Sequence, residues 1–117
     1  MARIVALLPD LLFGSKVQGM LAGAGHDVTV ANSPEELLEQ DGGDLLVVDL
    51  CEDAERRIAL LADAVAGTKT LAFYPHTDVE TRRRALAAGM DLVVPRSRMA
   101  REGASLLGGL LGAEQAR

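Results

Sequence analysis

Among the 117 residues of this chain, the one best placed for chemistry is Asp49, which closes the apolar run Leu45-Leu46-Val47-Val48. A carboxylate there can serve as a covalent nucleophile, or can be solvated or cap a following helix. Other constellations are weaker. Gly14-Ser15-Lys16 hints at a phosphate loop, but the GxxxxGK[ST] spacing is not met. The stretch Leu7-Leu8-Pro9-Asp10-Leu11 has no glycine or hydroxyl cradle for FMN or a dinucleotide. His26 and His76 are far apart in sequence, with only Cys51 as a soft companion, which argues against zinc. Cys51 has no cationic sequence neighbour to activate it and reads as a small core or loop residue.

Composition narrows the field further. Aromatic residues are 3% of the chain, too few to build base-stacking platforms for single-stranded nucleic acid. The formal charge of -5 disfavours nucleic acid and anionic membrane surfaces as partners. A single cysteine forbids an intramolecular disulfide. The N-terminal apolar run stops at Pro9-Asp10, too soon for a signal-peptide core and cleavage site. Nothing is long and apolar enough to span a bilayer, so the expected compartment is the cytoplasm.

The elements that must position these residues follow from periodicity. Short apolar runs at Ile4 to Leu8, Asp27 to Ala31, Leu45 to Leu50, Thr70 to Tyr74 and Leu92 to Val94 read as strands. The first and third are continuously apolar, as in parallel strands buried on both faces. Between them lie helical stripes: Phe13, Val17, Met20, Leu21 and Ala24; Ile58, Leu61, Ala64 and Val65; Leu106, Leu107, Leu110 and Leu111. Ser33-Pro34-Glu35-Glu36 and Thr77-Asp78-Val79-Glu80 read as capping boxes opening helices. Gly25, Gly67 and Gly89 read as left-handed helix stops, and Asp41-Gly42-Gly43-Asp44 as a turn. Strict β-α alternation with short connections predicts one doubly wound α/β domain, flavodoxin-like (βα)5, with a parallel sheet in the order 2-1-3-4-5. The domain is expected to span 1–112, with a frayed tail over 113–117. Pro95 fits a fifth strand at the sheet edge.

Several stretches resemble the receiver domain of bacterial response regulators. Leu45-Leu46-Val47-Val48-Asp49-Leu50 resembles a receiver's third strand. Ala24-Gly25-His26-Asp27-Val28 with Ser33-Pro34-Glu35-Glu36-Leu37-Leu38 resembles the second strand and helix. Asp78-Val79-Glu80-Thr81 through Arg84-Ala85-Leu86-Ala87-Ala88-Gly89-Met90-Asp91 resembles the fourth helix and the turn into the fifth strand.

The resemblance implies that Asp49 is the phosphoacceptor position and that Mg²⁺ is needed only by a phosphorylation-competent site. Of the acidic pair that would hold the ion with Asp49, Asp10 alone survives beside Leu8 and Pro9, and Asp10 reads more readily as an N-cap. Glu52 or Asp53 could replace the missing ligand. Where a receiver places a phosphoryl-binding Ser or Thr after its fourth strand, this chain has Tyr74, bulky enough to fill the pocket. Where a receiver has a lysine beside a proline, it has Pro95-Arg96, whose planar guanidinium does not reproduce a lysine's point charge.

Arg82, Arg83, Arg84, Arg96, Arg98 and Arg101 gather positive charge around the fourth helix and fifth strand. They read either as a solvated face or as a docking surface for an acidic partner or a second copy of the chain. The leading expectation is a stand-alone, non-catalytic pseudo-receiver acting through protein-protein contacts. One alternative is a genuine phosphoacceptor, phosphorylated on Asp49 in a two-component phosphorelay. The other is a small-ligand sensor using the crevice near Asp49, Tyr74 and His76.

Overall fold

Ile4-Val5-Ala6-Leu7 and Leu45-Leu46-Val47-Val48 are apolar at every position because helices cover both faces of their strands. All eight residues are buried. A computed structural model describes residues 2–40 and 43–115; the first half of the expected 41–44 turn, residues 41–42, lies outside them. Strands and helices alternate as β1 (Arg3–Leu7), α1 (Leu11–Gly23), β2 (Asp27–Ala31), α2 (Pro34–Leu38), β3 (Leu45–Asp49), α3 (Ala54–Gly67), β4 (Lys69–Tyr74), α4 (Val79–Ala87), β5 (Leu92–Pro95) and α5 (Arg96–Gln115). The strands form one parallel sheet in the order β2-β1-β3-β4-β5, the doubly wound topology the alternation implied.

Two cores flank the sheet. On one face Val5, Leu46, Val48 and Leu50 pack with Leu37 of α2, Leu61 and Val65 of α3, and Ala85 of α4. On the other, Ile4, Leu45, Val47 and Phe73 pack with Val17 and Leu21 of α1 and Met99 and Leu107 of α5. Because neighbouring strand residues point to opposite faces, the two sets alternate along β3 and β4. Gly103 lets α1 and α5 meet closely, since a Cβ there would lie 2.5 Å from the Met20 methyl carbon. Gly14 has an equally local reason: a Cβ would lie 3.0 Å from the Leu8 carbonyl oxygen. The glycine of Gly14-Ser15-Lys16 is thus a packing residue.

Several local expectations change. The Ser33 hydroxyl accepts from the Glu36 N–H at 3.1 Å, with Pro34 in the first turn, which is the serine half of the expected capping box. The second cap is Asp78, one residue after the expected Thr77: its carboxylate takes both the backbone N–H and the hydroxyl of Thr81. Gly25 and Gly89 do adopt positive φ, 93° and 100°, each followed by the paired backbone bonds of a Schellman stop. Gly67 does not; α3 runs through it and ends at an extended Thr68. The last helix continues to Gln115, past the expected boundary at 112, because Ala, Glu and Gln are good helix formers; residues 116–117 lie outside the described ones. No described helix is long and apolar enough to cross a membrane.

Candidate functional site at the strand ends

In an open parallel sheet the C-terminal strand ends form the rim where ligands and chemistry collect. β1 delivers Pro9 and Asp10 there, β3 delivers Asp49 and Cys51, and β4 and β5 deliver Pro75 and Arg96. These six border one open cavity of about 540 Å³, together with Leu11, Leu12, Glu52 and Arg57. Asp10, Asp49 and Arg96, read from the sequence as residues at strand ends, thus border the same cavity.

Asp49 is almost completely buried, and its surroundings explain how a carboxylate is tolerated. Its Oδ1 accepts the backbone N–H of Cys51 at 2.7 Å. The Arg57 guanidinium, itself buried, stands 3.9 Å from the same oxygen. One Arg57 nitrogen also donates to the Asp49 backbone carbonyl at 2.7 Å. Buried charges persist when paired and hydrogen-bonded, and this pair satisfies both conditions. Asp53, in the turn that carries the chain from Asp49 into α3, has left-handed angles (φ 52°, ψ 37°) and makes no side-chain cap. Aspartate is among the few residues that visit this region readily.

Arg57 is the residue that sequence reasoning missed. A signal was present: Arg57, Leu61 and Val65 are spaced i, i+4, i+8, so the arginine continues the buried stripe of α3 toward the strand ends. Taking the stripe to start at Ile58 hid it.

Asp10 is the N-cap of α1: its Oδ1 accepts the Phe13 N–H at 2.9 Å. Its Oδ2 lies 3.7 Å from Arg96. The Arg96 guanidinium carbon sits 4.2 Å from the centre of the Phe13 ring, a cation–π stack, and Phe13 in turn meets Phe73 with ring centres 5.2 Å apart. Arg96 is therefore fixed by an aromatic face and a carboxylate, not by Asp49.

Tyr74 departs from expectation. It follows Phe73, which pairs with Asp49 across the sheet, so its side chain points to the opposite face. The ring is buried among Leu50, Leu61 and Ala85 and does not border the Asp49 cavity. The β4-end residue that does is Pro75, which carries no hydroxyl. His76 lines a separate shallow cavity with Phe13, Pro75, Arg96 and Ser97, so the crevice expected to join Asp49, Tyr74 and His76 does not form. His26 accepts the Ala2 N–H on its Nδ1 at 3.1 Å, at the other end of the sheet. The Cys51 thiol is pushed up to about 12, first by burial and then by the neighbouring Asp49 charge. Such a thiol is a poor nucleophile.

The chemistry of the donor set can be compared with what a divalent ion needs. Mg²⁺ demands near-octahedral oxygen ligation, with carboxylates free to face it. Among the described residues no three His, Cys, Asp or Glu side chains converge to hold a metal. Both Asp10 oxygens face other donors, and one Asp49 oxygen faces Cys51 and Arg57. As placed, these residues do not fit the ion.

The arginine-rich region is also mostly neutralised from within. Arg83 pairs with Glu80; Arg84 with Glu80 and Glu55; Arg96 with Asp10; Arg98 and Arg101 with Glu102. Glu80 is held down to about 2 from its ordinary 4.5, chiefly by hydrogen bonds from Arg83 and then Arg84. Among the described residues Arg82 alone of the six makes no ion pair. It shares a face of α4 with exposed Val79 and Leu86, at i, i+3, i+7 spacing.

Solved structures of receiver domains share this architecture. A CheY-like response regulator receiver domain protein from Methanospirillum hungatei matches with a TM-score of 0.85 at 20% identity, over 99% of this chain and 98% of that one. The receiver domain of Francisella response regulator 1452 matches with a TM-score of 0.82 at 18% identity, over 97% and 99% of the two chains. The Thermotoga maritima response regulator DrrB, an OmpR/PhoB homolog, matches with a TM-score of 0.79 at 18% identity, over 97% of this chain and 54% of that one. No protein-family model matches the sequence, and no curated protein does either. The fold is that of response-regulator receiver domains.

Proposed function

We propose that this chain is a non-catalytic, receiver-like signalling module of the cytoplasm that acts through protein contacts. The observation that carries the reading is the Arg57–Asp49 pair: the phosphoacceptor-like carboxylate already has a counter-charge inside the fold. Phosphoryl transfer to a carboxylate requires positive charge free to meet the incoming anion. At this rim Arg57 is engaged by Asp49, Arg96 by Asp10 and Phe13, and Pro75 supplies no hydroxyl.

The contact surface proposed is the α4 face bearing Val79, Arg82 and Leu86, suited to an acidic, partly apolar protein surface, whether a different chain or a second copy. The other five arginines of α4 and α5 contribute less, because exposed guanidiniums already paired in the chain have little to gain from a partner.

Incubation with acetyl phosphate and Mg²⁺, read by intact mass, tests the proposal. The expected result is an unchanged mass. A phosphate adduct abolished by Asp49→Asn overturns it in favour of the second reading, a phosphoacceptor; that reading draws support from Asp49 bordering the open cavity.

A further inference from the structure

In metal-dependent aspartyl-phosphate chemistry the acidic pocket is balanced by a divalent ion that the protein borrows from solution. Here the Asp49 carboxylate has a positive group 3.9 Å away that is part of the chain. That group cannot diffuse off. Arg57 is buried and fastened to the backbone carbonyl of the residue it neutralises. The other carboxylate of the rim, Asp10, is turned to Arg96 and to the start of α1. A guanidinium is always charged; here its Nη1 donates to the Asp49 carbonyl at 2.7 Å and stands 3.9 Å from the carboxylate, so one fixed cation faces both oxygens.

We propose that Arg57 is the resident cation of the Asp49 pocket, standing in for a divalent metal ion and excluding it. The charge at this site is therefore carried by the sequence and is independent of metal supply. Two physical consequences follow. A divalent ion approaching Asp49 meets a like charge that it must displace, at a distance where such repulsion is strong in a partly desolvated site. Removing the guanidinium leaves an uncompensated buried carboxylate, which then seeks another cation.

The inference rests on the receiver-like reading, and its test uses Mn²⁺ without any phosphodonor, so that the two can fail separately. Binding is followed by water-proton relaxation or calorimetry on the whole chain. The wild type is expected to show no saturable Mn²⁺ binding, and Arg57→Gln to bind Mn²⁺ roughly tenfold more tightly or better, as expected when a unit like charge is removed. Arg57→Lys, which keeps the charge, is expected to stay metal-free. Saturable Mn²⁺ binding by the wild type overturns the proposal even if no phosphate adduct ever forms, and so does a folded Arg57→Gln variant with unchanged affinity. Should Arg57→Gln not fold, a double-mutant cycle decides. Asp49→Asn/Arg57→Met, which removes both charges, is expected to unfold at higher urea than Arg57→Met alone. A double variant no more stable than the single one means that Arg57 serves packing and not charge, and the proposal fails.

Discussion

At the scale of single residues, this rim is distinguished by how completely its polar groups are engaged. Asp49, Arg57, Asp10 and Arg96 each have a partner within the chain, and Cys51 is held as a neutral thiol. The thiol gives a direct check. Alkylation of Cys51 by iodoacetamide at pH 8 should run on the order of a hundredfold more slowly than for a free thiol, and at the ordinary rate in urea, because the thiolate is the nucleophile. A fast native rate would contradict the placement of Cys51. The linkage runs in the same direction: with its pKa raised from 9.0 to about 12, the neutral thiol contributes stability that is intact below pH 9. That contribution is lost as pH rises through about 12, since the unfolded chain ionises first. Cys51→Ser should flatten this alkaline decline. The candidate site was legible in part. Asp49, Asp10 and Arg96 were readable because the ends of apolar runs become strand ends. Tyr74 was misread because its facing depends on strand parity, which a one-residue slip inverts. Arg57 escaped notice because an arginine inside an apolar helical stripe looks like the solvated edge of that stripe.

At the scale of elements, the local chemistry of starts and stops was more readable than their final residues. Each strand falls within a residue or so of its apolar run, because β-α alternation leaves such runs few other places to go. The second capping box shows where sequence patterns run out. Thr77 and Asp78 are adjacent, both good N-cap residues, and only the geometry of α4 chooses Asp78. The assignment predicts unequal costs, measurable by urea melts: Asp78→Ala should destabilise the chain by about 1–2 kcal/mol, and Thr77→Ala by well under half of that. Equal costs would return the cap to Thr77. Gly67 makes the complementary point: a glycine at a helix end need not be left-handed when an extended residue follows it.

At the scale of the molecule, ion pairs link the helices on one side of the sheet. Glu35 of α2 meets Arg56 of α3, and Glu55 of α3 meets Arg84 of α4, which also meets Glu80. Exposed pairs of this kind contribute little individually, yet they give the acid stability profile a recognisable feature. The carboxylate of Glu80, held down to about 2, contributes stability present above pH 4.5 and lost as pH falls from there toward 2. Glu80→Gln should therefore lower stability slightly at neutral pH, converge with the wild type as pH falls toward 2, and so reduce the steepness of the acid transition in that window. An unaltered acid profile would mean that the Glu80 pairs are not held in solution. The same pairing leaves Arg82, with Val79 and Leu86, as the part of the arginine-rich face with charge to offer another protein.

The tether between Arg57 and Asp49 has one more consequence. A counter-ion encoded by a codon is made in one-to-one ratio with the carboxylate it serves; chelators do not strip it, and magnesium starvation does not empty it. On the reading proposed above, such a chain has a single electrostatic state to present. Its influence on a partner is then set by copy number, through synthesis and degradation, rather than by a modification that comes and goes.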